Sequence, residues 1–520
     1  MTVAVLVSVA SMAMLRRLGI GNTNGWSALI STSTSILSKR QKEDFTTVTV
    51  SPELWGKALN VSVSHVYSDT YLEARTKFRQ AAKAIKGAKL TSLAIVDNDN
   101  DYDLEDCTID IVVKPGTTPG LTILSSGIHG IEGFAGSAIQ IATLEVLAQQ
   151  QQQQQVQQER LFPTLILIHS LNPHGMNRYR RVNEHNVDLN RNGLSQSDWD
   201  TYAIPQNGQD FFNKASYDKF SHAFNPAGSI ETSGEQTTIN RDEIPKPTWF
   251  RAYVTYFPKL LLYVMWYGIP TLKKALVSGQ YHRQSGISYG GNGQLEQSYV
   301  VLEEWLSQFL QDYYDDPSVA DKTQVPGITW IDVHTGLGTF GEDTMLPVGR
   351  DARARYPGGT AAMAKEFEKW YPDSHNPLRR SEDTTTSSST ETAKSVAQGY
   401  ESVKGFLGDY FVPNLVKYCP KALVVVQEFG TLTGILVGHA LMVENWAYHY
   451  YAHPTILKQL DTDEARADSL AKHLEWAKRT MRPTFYPDSD EWRYSVLYRG
   501  LQALGKSLHR SKESCSIPDT

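Results

Sequence analysis

Cysteine is nearly absent: Cys107, Cys419 and Cys515 are the only three in 520 residues. They are too few and too scattered for a disulfide framework or a thiolate zinc site, and a reducing compartment is the simpler expectation. Positive charge is not in excess. Against 56 Asp and Glu stand 50 Lys and Arg, giving a formal charge of -6 and a pI near 6.2. That balance argues against a nucleic-acid-binding surface. Long apolar runs are missing too. Val3 to Leu15 is apolar for only 13 residues, short of the roughly 20 a spanning helix needs. Leu260 to Ile269, bracketed by Pro258 and Pro270, reads as a buried helix and not as a membrane span. Acid is absent from the first 42 residues, which carry Arg16, Arg17, Lys39, Arg40 and Lys42 among many Ser and Thr. This suits an organelle transit peptide or a disordered extension with no address. A secretory signal would place its positive charge before the apolar run, and here the arginines follow it. The expected location is intracellular, cytoplasmic or mitochondrial. The length allows one large domain or up to three ordinary ones, and 41% hydrophobic residues are ample for a core.

What is present centres on Leu121 to Gly136, LTILSSGIHGIEGFAG. It reads as a buried strand that runs into a tight, glycine-rich loop. His129 and Glu132 sit on that loop at a spacing that lets an imidazole and a carboxylate reach one metal ion. Alone, the pair fits a surface His beside a surface Glu equally well. Three later strand ends also deliver polar groups. Leu165 to His169 leads into NPHGMNRYRRVNEHNVDLNRN, Asn172 to Asn192, where Arg178, Arg180, Arg181 and Arg191 lie among many asparagines. Arg can hold a carboxylate with two parallel bonds and Asn can add a neutral donor; a solvated loop with surface ion pairs has the same composition. Ile328 to His334, ITWIDVH, ends in a His placed like a third metal ligand, with Asp332 on the same side of the strand to orient it. Ala422 to Val426 delivers Glu428, a site carboxylate or an ion-pair partner.

Around these motifs the pattern predicts a helix within Ser51 to Lys86 and strands at Leu90 to Val96 and Cys107 to Val113, joined by the turn Asp97 to Asp103. Further helices are expected over Ser137 to Leu147, Trp249 to Val277, Ser298 to Tyr314, Gly438 to Tyr451, Asp463 to Arg479 and Glu491 to His509. Gln149 to Gln158 reads as an expanded surface loop, Ser195 to Pro247 as an irregular insertion or lid, and Ser381 to Ser395 as a disordered loop. GQYHRQSGISYGG, Gly279 to Gly291, reads as a loop close to a ligand or as a turn-rich connector. The domain plan is an extension over 1–50, a single domain over 51–509 with insertions near 149–158, 195–247 and 381–395, and a disordered tail over 510–520.

The ordered series SGIHGIEGFAGSAIQ, LNPHGMNRYRRVNEHNVDLNRN, GQYHRQSGISYGG, IDVHTGLGTFG and QEFGT, with FYPDSDEWRY near the end, resembles the zinc carboxypeptidase superfamily. More closely it resembles a bacterial-type domain-of-unknown-function family within it, over about Ser51 to Gly505. The resemblance implies a three-layer α/β/α sandwich with a mixed, mostly parallel eight-stranded sheet and its site at strand carboxyl ends. It implies one zinc per chain held by His129, Glu132 and His334, and Asn190 and Arg191 on a substrate's terminal carboxylate. Glu428 would be the general base. Arg180 and Arg181 both fit the arginine that steadies the oxyanion, Arg181 being preferred, and Tyr410 is the candidate for the superfamily's mobile tyrosine. The implied activity is a zinc hydrolase of amide bonds, a metallocarboxypeptidase-like peptidase acting on peptides. An amidohydrolase of small N-acyl amino acids is the first alternative and a non-catalytic binding protein on the same fold the second.

Overall fold

The computed structural model describes residues 44–95, 107–153, 162–204, 209–225, 241–317, 327–347, 355–372 and 403–513. The expected turn over 97–103, the loop over 381–395, the residues from 154 on in the polyglutamine and the first 42 residues lie outside these. Strands β1 (Thr47–Val50) and β2 (Leu59–Ser62) form a small antiparallel pair, and a seven-stranded sheet forms the centre. Its strands are β3 (Lys89–Ala94), β4 (Thr108–Lys114), β5 (Thr118–Ser126), β6 (Pro163–His169), β7 (Ile328–Leu337), β8 (Asp343–Pro347) and β9 (Leu423–Leu432). Helix α1 (Tyr71–Lys83) precedes β3, and α2 (Gly133–Gln153) joins β5 to β6. Between β6 and β7 come α3 (Phe257–Tyr267), α4 (Ile269–Val277) and α5 (Gln297–Asp315). Helix α6 (Leu407–Leu415) precedes β9, and α7 (Gly434–Tyr451), α8 (Asp463–Phe485) and α9 (Asp490–Lys512) follow it.

The sheet order is β3-β4-β6-β5-β7-β9-β8. The expected mixed sheet is present, but the expected strand number is corrected: among the described residues the sheet has seven strands and not eight, five of them running in one direction, and three of its six pairings are parallel. The parallel part is the middle, β6-β5-β7-β9, and the sequence shows why. These strands are buried on both faces, so apolar residues run on unbroken in β6 and β9 (Leu165–Ile168 and Leu423–Val426), and the polar Thr122, Thr329 and Asp332 within β5 and β7 are themselves buried. Leu121, Ile123, Ile166, Ile168, Trp330, Val424 and Val426 face a core filled by Leu302, Leu306 and Leu310 of α5 and Phe411 and Leu415 of α6. Leu124, Leu165, Leu167, Ile331, Val333, Leu423 and Val425 face the opposite core, with Phe78 of α1, Ile139 of α2 and Leu497 and Leu501 of α9. Helices on both faces make the three layers.

Chain order reverses at β5: the next parallel strand, β6, lies on one side of it and β7 on the other. Open α/β sheets bind ligands at such a reversal, outside the strand carboxyl ends. One helical stretch, Gly130–Gln152, is long and apolar enough to cross a membrane by composition, but 89% of that window is buried inside the protein, as a core helix is.

Several sequence boundaries move. The segment after Ser51 holds β2 as well as α1, and β1 lies inside the stretch read as an extension. Helix α2 runs on through Gln149 to Gln153, because these residues continue a helix whose first turns are held in the core. Part of the expected irregular insertion is packed: Trp199, Tyr217, Phe220 and Phe224 are buried. Helix α9 reaches Lys512, and Arg510 is buried there, bonded to the carbonyls of Ile328 and Lys421. Trp249 to Val277 is not one helix but a π-helical stretch (Phe250–Tyr256) followed by α3 and α4, which break at Gly268 (φ 83°). Nor is Leu260 to Ile269 fully buried, since Leu262, Met265 and Trp266 are exposed. Cys107 is buried, and Cys419 is disulfide-bonded, a single cross-link and not a framework.

Candidate metal centre

Strand β5 ends at Ser126, and Gly127 takes a positive φ of 69° that turns the chain out of the sheet. His129 follows, then a single 3-10 turn, Gly130–Glu132, which leads into α2. Gly130 admits no side chain: a Cβ there would lie 2.1 Å from the backbone carbon of Gly175. The loop is thus pressed onto the segment after β6. It is also tied to it, since Gly130 N donates to Arg181 O (3.2 Å) and Ile131 N to Arg180 O (2.9 Å). Neighbouring β7 and β9 pair His334 with Glu428 in register, which sends both side chains to one face.

Three buried side chains converge at the strand ends. His129 Nδ1 lies 3.0 Å from Glu132 Oε1, His334 Nδ1 lies 3.1 Å from Glu132 Oε2, and the two Nδ1 atoms are 3.2 Å apart. Each imidazole is backed through its other nitrogen by a carboxylate: His129 Nε2 by Asp188 Oδ1 at 3.1 Å, His334 Nε2 by Asp332 Oδ2 at 2.7 Å. A carboxylate accepts, so each Nε2 carries a proton, and in the neutral ring each Nδ1 then presents a lone pair toward the other two groups. Two lone pairs and a carboxylate this close repel one another unless positive charge, a proton on a ring or a metal ion, sits among them. Zinc ligands at about 2.0–2.1 Å in tetrahedral array stand roughly 3.3 Å apart, close to the spacing of these atoms. The donor set therefore fits a divalent ion such as zinc.

The electrostatics point the same way. Burial favours the neutral form of Glu132, but His129, His334 and Arg181 outweigh it and hold the carboxyl far below its usual range. Asp188 is likewise held low, against burial, by Arg181, Arg191 and His129. Burial disfavours charge on His334, yet Asp332 and Glu132 push its pKa up to about 10. Every one of these shifts favours positive charge at the convergence point.

The other sequence candidates separate. Glu428 is buried, and its Oε1 accepts from Leu337 N at 3.1 Å. Arg181 borders the triad: Nη1 donates to Glu132 Oε1 (2.9 Å) and Nε to Asp188 Oδ2 (3.1 Å). Arg180 has other partners. It is completely buried, with Nε on Glu444 Oε1 (2.8 Å), Nη2 on Asn186 Oδ1 (2.7 Å) and its guanidinium 3.4 Å from the centre of the Tyr448 ring. Asn190 accepts from Leu407 N through Oδ1, while its buried Nδ2 has no partner among the described residues. Arg191 donates from Nε to Val277 O (2.9 Å) and from Nη1 to Asn190 O (2.6 Å). Tyr410 gives its hydroxyl to Glu303 Oε2 at 2.7 Å and packs edge-on to Tyr299 and Phe411, an arrangement that ties it to α5.

Asp188 had no role in the sequence reading. Its only signal was its place two residues before Asn190 in NVDLNRN. A second group, Glu184, His185 and Glu296, also brings three ligand-type atoms within 4.8 Å, but there His185 Nδ1 and Glu296 Oε2 are 2.6 Å apart in a direct hydrogen bond. Because Asp332 fixes the His334 tautomer, Asp332→Asn is expected to weaken zinc binding by about 10- to 100-fold, read by competition with a chromogenic chelator. Unchanged affinity would mean that His334 holds its orientation without this carboxylate.

The model of the family described as protein of unknown function DUF2817 matches residues 67–499. Among curated proteins none matches the chain. Likeness to solved structures is weak. Bovine thrombin-activatable fibrinolysis inhibitor in complex with tick carboxypeptidase inhibitor is 10% identical, with a TM-score of 0.33 over 79% of this chain and 98% of that one. A second structure of thrombin-activatable fibrinolysis inhibitor is 12% identical (TM-score 0.32, 80% and 75% covered). A presumed succinylglutamate desuccinylase/aspartoacylase from Shewanella frigidimarina NCIMB 400 is 13% identical (TM-score 0.23, 71% and 72% covered). On the family match, which spans well over half of its length, the chain belongs to the DUF2817 family.

Proposed function

We propose that this protein is a zinc-dependent hydrolase of amide bonds that releases a residue from a peptide carboxyl terminus. The observation that carries the reading is the meeting of His129 Nδ1, His334 Nδ1 and the Glu132 carboxylate within 3.2 Å, with a carboxylate behind each imidazole. Those three residues would hold the ion. When bound, zinc supplies Lewis acidity that polarises a carbonyl and acidifies water. Three protein ligands leave a coordination position open, which is the habit of catalytic rather than structural sites.

The chain's own residues supply the remaining steps. Glu428, oriented by Leu337 N, takes a proton from the attacking water and returns it to the leaving amine. Arg181 sets its positive charge beside the reacting centre and steadies the developing oxyanion. Asn190 Nδ2, a buried donor without a partner among the described residues, and the guanidinium of Arg191 receive the substrate's terminal carboxylate. Arg180 and Tyr410 have no part in this scheme, because their partners are Glu444 and Glu303. Hydrolysis of a small N-acyl amino acid uses the same groups, and free-carboxylate peptides tested beside N-acyl amino acids separate the two. The first test is elemental analysis of chain purified without chelator. One zinc is expected in the parent and none in His129→Ala/His334→Ala; no zinc in either would remove the hydrolase mechanism.

A further inference from the structure

No Asp or Glu occurs between Glu243 and Glu296, a segment that carries Lys246, Arg251, Lys259, Lys273, Lys274 and Arg283. The same segment holds most of the exposed large hydrophobic side chains found among the described residues. Trp266 is 84% exposed, Phe250 66% and Leu262 60%, and Met265 and Trp249 of the same segment are exposed too, whereas Leu72, Ile204, Val300 and Phe340 stand singly elsewhere. Scattered exposed apolar residues need no explanation, but a cluster does.

Helix α3 is apolar on every side, with Lys259 its single charge. Leu260 and Val264 are buried with Phe220 and Leu272. Leu262, Met265 and Trp266, spaced for one face, point outward. A helix apolar all round belongs in a core or in a membrane, and this one is only half inside the protein. It cannot cross a bilayer: its 11 residues extend about 17 Å. The π-helical stretch plus α3 then bends by 114° into α4. Short, bent, aromatic-rich and flanked by cations, the segment has the composition of an element that lies in the interface plane.

We propose that this hairpin docks the protein on an anionic lipid surface. Trp266, Leu262, Met265 and Phe250 enter the boundary between headgroups and acyl chains, and the exposed Lys246, Arg251 and Lys274 meet headgroup phosphates. Charge selects this occupant over a second copy of the chain. Two copies apposed through this face would set the same cations against each other with no carboxylate from the segment to relieve them. The docked element is also joined to the segment that carries Asn190 and Arg191, since Val277 O at the end of α4 accepts from Arg191 Nε.

Flotation of the full chain with vesicles of phosphatidylcholine, with and without phosphatidylserine, tests this. The parent is expected to float with the anionic vesicles. Leu262→Gln/Trp266→Gln and, separately, Lys246→Glu/Arg251→Glu/Lys274→Glu are each expected to lower the bound fraction by about tenfold or more. Far-UV circular dichroism and the melting midpoint should stay unchanged, because all five side chains are exposed. A parent that stays in the lipid-free fraction, or one whose flotation Leu262→Gln/Trp266→Gln leaves intact, would overturn the proposal. So would light scattering that finds a parent dimer dissociated by Leu262→Gln/Trp266→Gln, since the face would then be an interface between copies.

Discussion

Glu428→Gln is expected to keep one zinc per chain and to lose turnover by about 100- to 10,000-fold, the range a positioned general base contributes. Glutamine has the volume of the glutamate it replaces. Its carbonyl oxygen can still accept from Leu337 N, the 3.1 Å bond that orients Glu428. The register pairing of His334 with Glu428 is a backbone property and does not change. What the amide cannot do is take a proton from water. The loss should therefore fall on kcat with little change in KM, because the Asn190 and Arg191 groups proposed to hold substrate are untouched. Elemental analysis beside steady-state kinetics on a free-carboxylate peptide separates three outcomes. Zinc retained with turnover lost supports the assignment. Zinc lost with turnover would make Glu428 part of the metal's hold, and full activity would place the base elsewhere.

The sequence displayed this site unevenly, for physical reasons. His129, Glu132 and His334 stood out because each sits where an apolar run stops, and a buried strand gives a sharp boundary in a polar-apolar pattern. Asp332 was legible from the two-residue period that puts it on the same side as His334. Asp188 was not, because it acts across 59 residues on His129 and no local period marks it. The choice between Arg180 and Arg181 could not be made from spacing. They are adjacent, and their side chains part company only because Glu444 and Tyr448 on α7 draw one and Glu132 and Asp188 the other. The mixed sheet was anticipated, but its strand count and its antiparallel edges were not. The implied eight mostly parallel strands came from resemblance, whereas β3, β4 and β8 run antiparallel to their neighbours through pairings that only the folded chain displays. The short apolar helix at Leu260 is the opposite case. Its composition read as core, and only exposure of Leu262, Met265 and Trp266 shows that half of it is not.

Glu444→Ala is expected to be the most destabilising single change in the neighbourhood of the site, by about 3–5 kcal/mol, the cost of leaving one charge of a buried pair uncompensated. Arg180 is completely buried and, among the described residues, its Nη1 lacks a partner and the carboxylate of Glu444 is the one anion bonded to its guanidinium. Glu444 is in turn held low, against burial, by Arg180 and then His473. Removing both charges is a different matter. Arg180→Met/Glu444→Leu replaces the pair with apolar volume, keeps a flexible side chain against the Tyr448 ring, and is expected to recover most of the lost stability. His473, which burial holds below its ordinary pKa, then gives up one hydrogen bond as a neutral ring and not as a buried cation. Denaturation midpoints of the parent, the single and the double variant measure this directly. The same double variant tests the division of labour between the two arginines. If Arg180 only supports the loop that carries Arg181, the double variant keeps its zinc and its kcat/KM within a few-fold, whereas Arg181→Met loses activity while keeping its fold. A stable, zinc-loaded double variant that had lost turnover would instead put Arg180 on the substrate and reverse the assignment drawn from its contacts with Glu444 and Tyr448.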